Sequence, residues 1–166
     1  MAEITLQGNP MHTFGELPKK GTKTPRFKLT TRELKDVDLK DFQGRKILNI
    51  FPSLDTPTCA NSVRRFNQRA TDVEGVNMLM ISADLPFAHK RFCEAGGIDN
   101  VTTLSTMRDD SFARDYGVLI TDGPLAGLTA RAVVVLDEND EVLHTELVSE
   151  VANEPDYEAA IKAVRN

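Results

Sequence analysis

Residues 76–84 read VNMLMISAD, and the apolar run inside that stretch leaves no polar face. A strand of this kind is buried on both sides, which implies the interior of a sheet with layers packed above and below it. RKILNIFP (45–52) and ARAVVVLD (130–137) have the same character. Between the first two, the period changes. From about Pro57 to Val73, the residues Cys59, Val63, Phe66, Ala70 and Val73 recur at three- and four-residue spacings, the stripe of an amphipathic helix.

The rest of the chain fits around this alternation. LPFAHKRFCEA reads as a second helix, with Pro86 near its first position and Gly96-Gly97 past its end. VTTLST (101–106) is a further strand, and DDSFARDYG a short helix stopped by Gly117. The turn DEND joins 130–137 to EVLHTELV (141–148) as a hairpin, and a last helix spans about 155–165. Residues 3–14 are expected to form a surface hairpin around a Gly-Asn turn, followed by the loop ELPKKGTKTPRF. Strands alternating with helices predict an α/β fold: a mixed central sheet flanked by helices, with an N-terminal β-hairpin, in one domain over residues 1–166.

Charge narrows the function. Twenty Lys and Arg against 25 Asp and Glu give a net charge of −5, which argues against nucleic acid or an anionic membrane as the main partner. The segment MAEITLQGNP lacks the basic and apolar parts of a secretory signal, and no apolar run is long enough to cross a bilayer. A cytoplasmic location is expected. The two cysteines, Cys59 and Cys93, form no C-x-x-C pair, so a permanent disulfide in a reducing compartment is not expected and a transient one is the usual exception.

Cys59 stands in PSLDTPTC, between an apolar strand and the helical stripe. With Pro57 at the first helical position, Thr56 is the N-cap and Cys59 the third helical residue. Its sulfur then lies at the positive end of a helix, where a thiolate is favoured and turned towards the sheet. The helix end supplies about 0.3–1 kcal/mol, and a nearby guanidinium up to about 4 kcal/mol at an effective dielectric of about 20. Complete ionisation multiplies the thiolate about 30-fold at pH 7, worth about 2 kcal/mol, well short of what enzymes commonly supply. A catalytic Cys59 therefore needs further groups that stabilise the transition state. Composition and periodicity alone favour a second reading, in which Cys59 is an inert small hydrophobe, Thr56 only a cap and Pro52 only a strand terminator.

The spacing Pro52-x-x-x-Thr56-x-x-Cys59 resembles the active-site motif of the peroxiredoxins. FPSLDTPTCANSVRRFNQ, ISADLPFAHKRFC, TLSTMRD, DGPLAGLTARAVVVLDEND and EPDYEAAI are similar, in order, to the bacterial thiol peroxidase subfamily, an atypical two-cysteine group. The resemblance implies a thioredoxin-like fold and a homodimer. By position it implies that Cys59 attacks the peroxide and becomes a sulfenic acid. It also implies that Thr56 bonds the thiolate and peroxide, that Pro52 shields the pocket, and that Arg131 holds the thiolate and polarises the O–O bond. Cys93 is implied as the resolving thiol, closing an intramolecular disulfide that thioredoxin then reduces. Hydrogen peroxide and alkyl hydroperoxides, lipid ones included, are the implied substrates, with no cofactor and no metal.

Without the resemblance, Arg131 reads as a strand-edge charge and Cys93 as a second buried thiol. Cys93 lies in the last turn of a helix short enough to unwind, so its meeting with Cys59 is physically reasonable. Two rival functions remain. A disulfide oxidoreductase leaves Thr56 and Arg131 without a role and lacks C-x-x-C; a redox-sensing module would react with peroxide but turn over poorly. His89 and Cys93 are four apart on one helix, a metal-compatible spacing with no second ligand pair. Phe66, Phe87 and Phe92 are expected in the core or in a pocket wall, and Arg64-Arg65 as solvated charges.

Overall fold

In the computed structural model, which describes residues 1–166, ten strands and four helices follow one another along the chain. The strands are β1 (Ala2–Leu6), β2 (Asn9–Phe14), β3 (Lys28–Thr31), β4 (Asp36–Asp38), β5 (Arg45–Ile50), β6 (Val76–Ser82), β7 (Thr102–Ser105), β8 (Leu119–Ile120), β9 (Ala132–Leu136) and β10 (Val142–Leu147). The helices are α1 (Pro57–Arg69), α2 (Pro86–Gly96), α3 (Phe112–Asp115) and α4 (Tyr157–Arg165).

Seven strands form the main sheet in the order β10-β9-β5-β6-β7-β3-β4. β5, β6 and β7 run parallel to one another, and β9, β10, β3 and β4 are added antiparallel, so the sheet is mixed. The doubly buried run holds the middle, as its composition requires. Successive side chains of a strand point to opposite faces, and the core divides accordingly. Leu48, Ile50, Leu79, Ile81 and Val134 join one buried cluster; Ile47, Met78, Met80, Val133 and Val135 join the other. The second cluster is completed by Cys59, Val63 and Phe66 of α1, Cys93 of α2, and Ala160, Ile161 and Val164 of α4. Both cysteines thus lie on the same side of the sheet. The first cluster takes Phe27, Phe112 and Tyr116 together with Ile4 and Met11 of the hairpin.

The hairpin differs from expectation in two ways. Its register pairs Leu6 with Asn9, so the turn residues are Gln7 and Gly8, not Gly8 and Asn9. Both have positive φ, 51° and 84°, the conformation that suits a two-residue turn to the strand twist. Nor is it a surface feature alone, since Ile4 and Met11 are buried and β2 pairs with β8 in a separate three-stranded sheet. α1 stops at Arg69, and Ala70–Asp72 continue as a tighter 3-10 turn that keeps Ala70 and Val73 against the core. Phe87 is 64% exposed and outside the core, on the wall of a surface groove that Asp84 and Arg91 also line. Arg64 and Arg65 are exposed as expected, yet each lies 5.2 Å over an aromatic ring, Phe92 and Tyr157 respectively. No helix is long and apolar enough to cross a membrane.

Candidate active site around Cys59

β5 ends at Ile50, and Phe51 continues its pairing by donating its N–H to the Ile81 carbonyl. Pro52 is buried immediately beyond, at the place where the chain leaves the sheet. A tight turn follows. The Ser53 carbonyl accepts both the backbone N–H of Thr56 (3.1 Å) and its hydroxyl (2.9 Å). Thr56 is the N-cap of α1 by its backbone, but its side chain accepts no capping bond; its hydroxyl instead donates to the Ser53 carbonyl. The backbone N–H groups of the first helical turn are therefore left without a side-chain acceptor. Pro57 occupies the first helical position, and Cys59 is the third residue of α1, with its side chain fully buried.

Arg131 meets it there. It immediately precedes β9 and is 1% exposed, so the expectation of a solvated strand-edge charge is excluded. Nη2 donates to Cys59 Sγ at 3.2 Å and Nε to the Val151 carbonyl at 2.9 Å, while Nη1 is buried without a partner. A guanidinium inside a protein is costly unless a counter-charge or a full set of acceptors meets it. Here the sulfur is the one contact able to become an anion. Two loops fix this geometry. Thr129 donates to the Phe51 carbonyl at 2.7 Å and ties the approach to Arg131 to the end of β5. Residues 151–154 cross the first turns of α1, where Thr58 donates to the Ala152 carbonyl (3.0 Å) and Asn61 to Glu154 (2.7 Å).

Glu150, a residue with no sequence signal, anchors that crossing loop. Its carboxylate accepts the backbone N–H groups of Ala152, Gly8 and Gln7 and the Thr5 hydroxyl. These donors, Ala152 first and Gly8 next, hold its pKa down at about 2. The N-terminal hairpin is thereby tied to the loop that supplies the Arg131 acceptor.

Cys93 lies in the last turn of α2 and is 2% exposed. It makes no bond to Cys59; both thiols are free. Burial pushes its thiol pKa up, against the opposing pull of Arg32 and Thr103. Its carbonyl closes the helix, accepting from Gly97, which adopts φ 64°, and from Ile98 at 2.9 Å. His89, one turn earlier, places Nε2 3.0 Å from the Ser82 hydroxyl. A groove of about 340 Å³ runs between the Cys59 loop and α2, lined by Leu54, Asp55, Arg64, Arg91 and Phe92 among others. The structure thus brings Cys59 and Arg131 into contact, sets Pro52 and Thr56 in the turn before them, and leaves Cys93 apart in the same apolar cluster.

A buried thiol at a helix N-terminus on a mixed α/β sheet, facing an unpaired guanidinium, is a redox-protein arrangement, and the comparisons with known proteins agree. The family model described as Redoxin matches residues 19–161. Thiol peroxidases of Mycobacterium tuberculosis and Mycobacterium bovis are 53% identical over 165 residues, covering 99% of this chain and 99% of theirs. Among solved structures, a peroxiredoxin-like protein from Aquifex aeolicus superposes with a TM-score of 0.92 at 36% identity, covering 99% of this chain and 96% of that one. A thiol peroxidase from Chromobacterium violaceum gives 0.91 at 25% identity, covering 98% and 95%. The chain belongs to the Redoxin family, and within it to the peroxiredoxin-type thiol peroxidases.

Proposed function

We propose that this chain reduces hydrogen peroxide and alkyl hydroperoxides, lipid ones included, through a two-cysteine cycle completed by thioredoxin. The observation that supports it best is Arg131. Its guanidinium is fully buried, one nitrogen touches Cys59 Sγ, and another has no partner at all. An ionised Cys59 would give that charge its counter-ion, and Nη1 would supply a donor for a peroxide oxygen. In the first step the Cys59 thiolate attacks the terminal oxygen of ROOH. An S–O bond forms and the O–O bond breaks; the leaving alkoxide takes a proton and departs as ROH, and Cys59 is left as a sulfenic acid. Donors aimed at the oxygens where charge develops are the help that thiolate formation alone does not provide. In this reading Pro52 shields the sulfur, and Thr56 and Arg131 act with Cys59 on the peroxide.

Cys93 then attacks the sulfur of the sulfenic acid. An S–S bond forms, the S–O bond breaks, and the hydroxyl leaves with the thiol proton as water. Its raised pKa and burial mean that Cys93 has to leave its site first, and the unwinding of the last turn of α2 is the economical route. Two electrons and two protons from thioredoxin return both thiols. The same reading carries a cytoplasmic homodimer, which sedimentation equilibrium tests directly.

The catalytic test is a thioredoxin-coupled peroxidase assay of three proteins. Wild type is expected to turn over with an alkyl hydroperoxide. Cys59→Ser is expected to be inactive, and Cys93→Ser to complete one peroxide reduction and then stall. Sustained thioredoxin-dependent turnover by Cys93→Ser would contradict the two-cysteine cycle.

A further inference from the structure

Asp84 lies in the link between β6 and α2, and its side chain is 9% exposed. Oδ1 accepts the Ser53 hydroxyl at 2.8 Å. Oδ2 accepts the backbone N–H of Leu54 at 2.8 Å and the Ser82 hydroxyl at 2.6 Å. Its own carbonyl accepts the Ser105 hydroxyl at 2.6 Å, which fixes the residue to β7. Three donors on one nearly buried carboxylate make a strong, directional clamp.

Two of those donors belong to the turn in front of Cys59. Ser53 is the residue whose carbonyl receives both the N–H and the hydroxyl of Thr56, so the bonds run from Asp84 through Ser53 to Thr56. The third donor leads the other way. A hydroxyl has one proton, and that of Ser82 goes to the carboxylate; the Ser82 oxygen then accepts from His89 Nε2–H at 3.0 Å. This tautomer leaves Nδ1 as a bare acceptor, and Nδ1 is buried with no partner. Burial holds the His89 pKa down at about 4, so the ring is neutral, as the arrangement requires. His89 is on α2, one helical turn before Cys93, and both are buried. One carboxylate therefore ties down the turn that carries Thr56 and the helix that carries Cys93.

We propose that Asp84 is a positioning residue that acts as a latch. Latched, it holds the Thr56 turn ready for peroxide and keeps α2 wound with Cys93 away; unlatched, it frees both segments so that Cys93 can reach oxidised Cys59. The inference rests on the two-cysteine reading above. Its consequence is a trade between the two chemical steps. Tighter latching speeds the reaction with peroxide and slows disulfide closure, which lengthens the life of the sulfenic acid and exposes it to further oxidation.

The test is rapid-quench oxidation of the fully reduced chain by an alkyl hydroperoxide, with thiols alkylated, the sulfenic acid trapped and products mapped by mass spectrometry. Asp84→Asn keeps the shape but replaces one acceptor by a donor; Ser53→Ala removes one arm and leaves the other two bonds. For Asp84→Asn, peroxide reaction is expected about 10-fold slower and disulfide closure about 10-fold faster, the range for a hydrogen bond to a charged group. Ser53→Ala should move both rates in the same two directions by a smaller factor, and both variants should form less sulfinic acid under excess peroxide. A merely structural role would slow both steps together or change only the unfolding midpoint. Either of those results, or unchanged rates, overturns the latch. Wild type separates the two claims: if oxidised Cys59 never bridges to Cys93 there, the two-cysteine cycle and the latch fail together, whereas a normal wild-type bridge with unmoved variants removes the latch alone.

Discussion

The two cysteines are equally hidden and electrostatically opposite. Cys59 is in the first turn of α1 and Cys93 in the last turn of α2, within one apolar cluster. The first faces the amide end of its helix, the second the carbonyl end, which carry opposite partial charges. Each has an arginine nearby, but the arginines differ. Arg131 is 1% exposed and has no other anionic partner, whereas the Arg32 side chain is 35% exposed and bonds to Glu33. A cation in water is screened and a buried one is not, so burial prevails at Cys93 and pushes its thiol pKa up. Burial alone does not decide what a thiol can do; the helix end and the exposure of the neighbouring cation do.

The sharpest way to break this contrast is to alter Arg131. Arg131→Lys keeps the charge but loses the fork that reaches both Sγ and the Val151 carbonyl, and the peroxide rate constant is expected to fall about 100-fold or more. A drop of only a few fold, measured by stopped-flow competition for hydroperoxide, would show that the charge alone suffices.

The Cys93 side depends on pH through His89. Unfolded, His89 takes up a proton below about pH 6.5; folded, it does so only near pH 4, because burial opposes the charge more than Asp84 favours it. The unfolded state therefore binds more protons between those values. The His89 contribution to stability is complete above about pH 6.5 and is lost as pH falls towards 4, by at most about 3 kcal/mol. Urea unfolding of wild type and His89→Gln should show a gap that changes by that order between pH 7.5 and 4.5. A gap constant with pH would contradict the neutral buried ring.

Two smaller changes sharpen each side in turn. Thr56→Val removes the hydroxyl that the proposed reaction turns from the Ser53 carbonyl towards the thiolate and peroxide, and is expected to slow the peroxide step about 10-fold, as for a lost hydrogen bond at a charged centre. Gly97→Ala acts only on Cys93. Gly97 has φ 64° and open space where a Cβ would stand, so its cost is backbone strain alone. About 1 kcal/mol of that strain loosens the last turn of α2 and should speed alkylation of Cys93 about 5-fold, with Cys59 unaffected.

What the sequence made legible followed from local pattern. The runs that became β5, β6, β9 and β10 and the stripes of α1, α2 and α4 are long and periodic, and they appear where expected within a few residues. β3 and β4 were not legible. KLTT and DVD are short and polar, and their strand conformation comes from pairing with β7 and with each other, at long range. At the site, Cys59, Thr56, Pro52 and Arg131 stood out through a motif and a resemblance. Asp84 and Glu150 did not, because each works by collecting donors from segments far away in sequence, and no local spacing records that. Thr56 is the N-cap, as its place before Pro57 indicated, but the bond from its hydroxyl to the Ser53 carbonyl was hidden for the same reason, since it belongs to a turn that Asp84 holds.

The most direct test of the asymmetry is to give the reduced protein one equivalent of an alkyl hydroperoxide, trap the sulfenic acid within milliseconds, and map both cysteines under non-reducing conditions. The account predicts the trapped group on Cys59 alone, followed by a Cys59–Cys93 bridge within one chain. A sulfenic acid on Cys93, or Cys59 still a thiol after the peroxide is consumed, would contradict it.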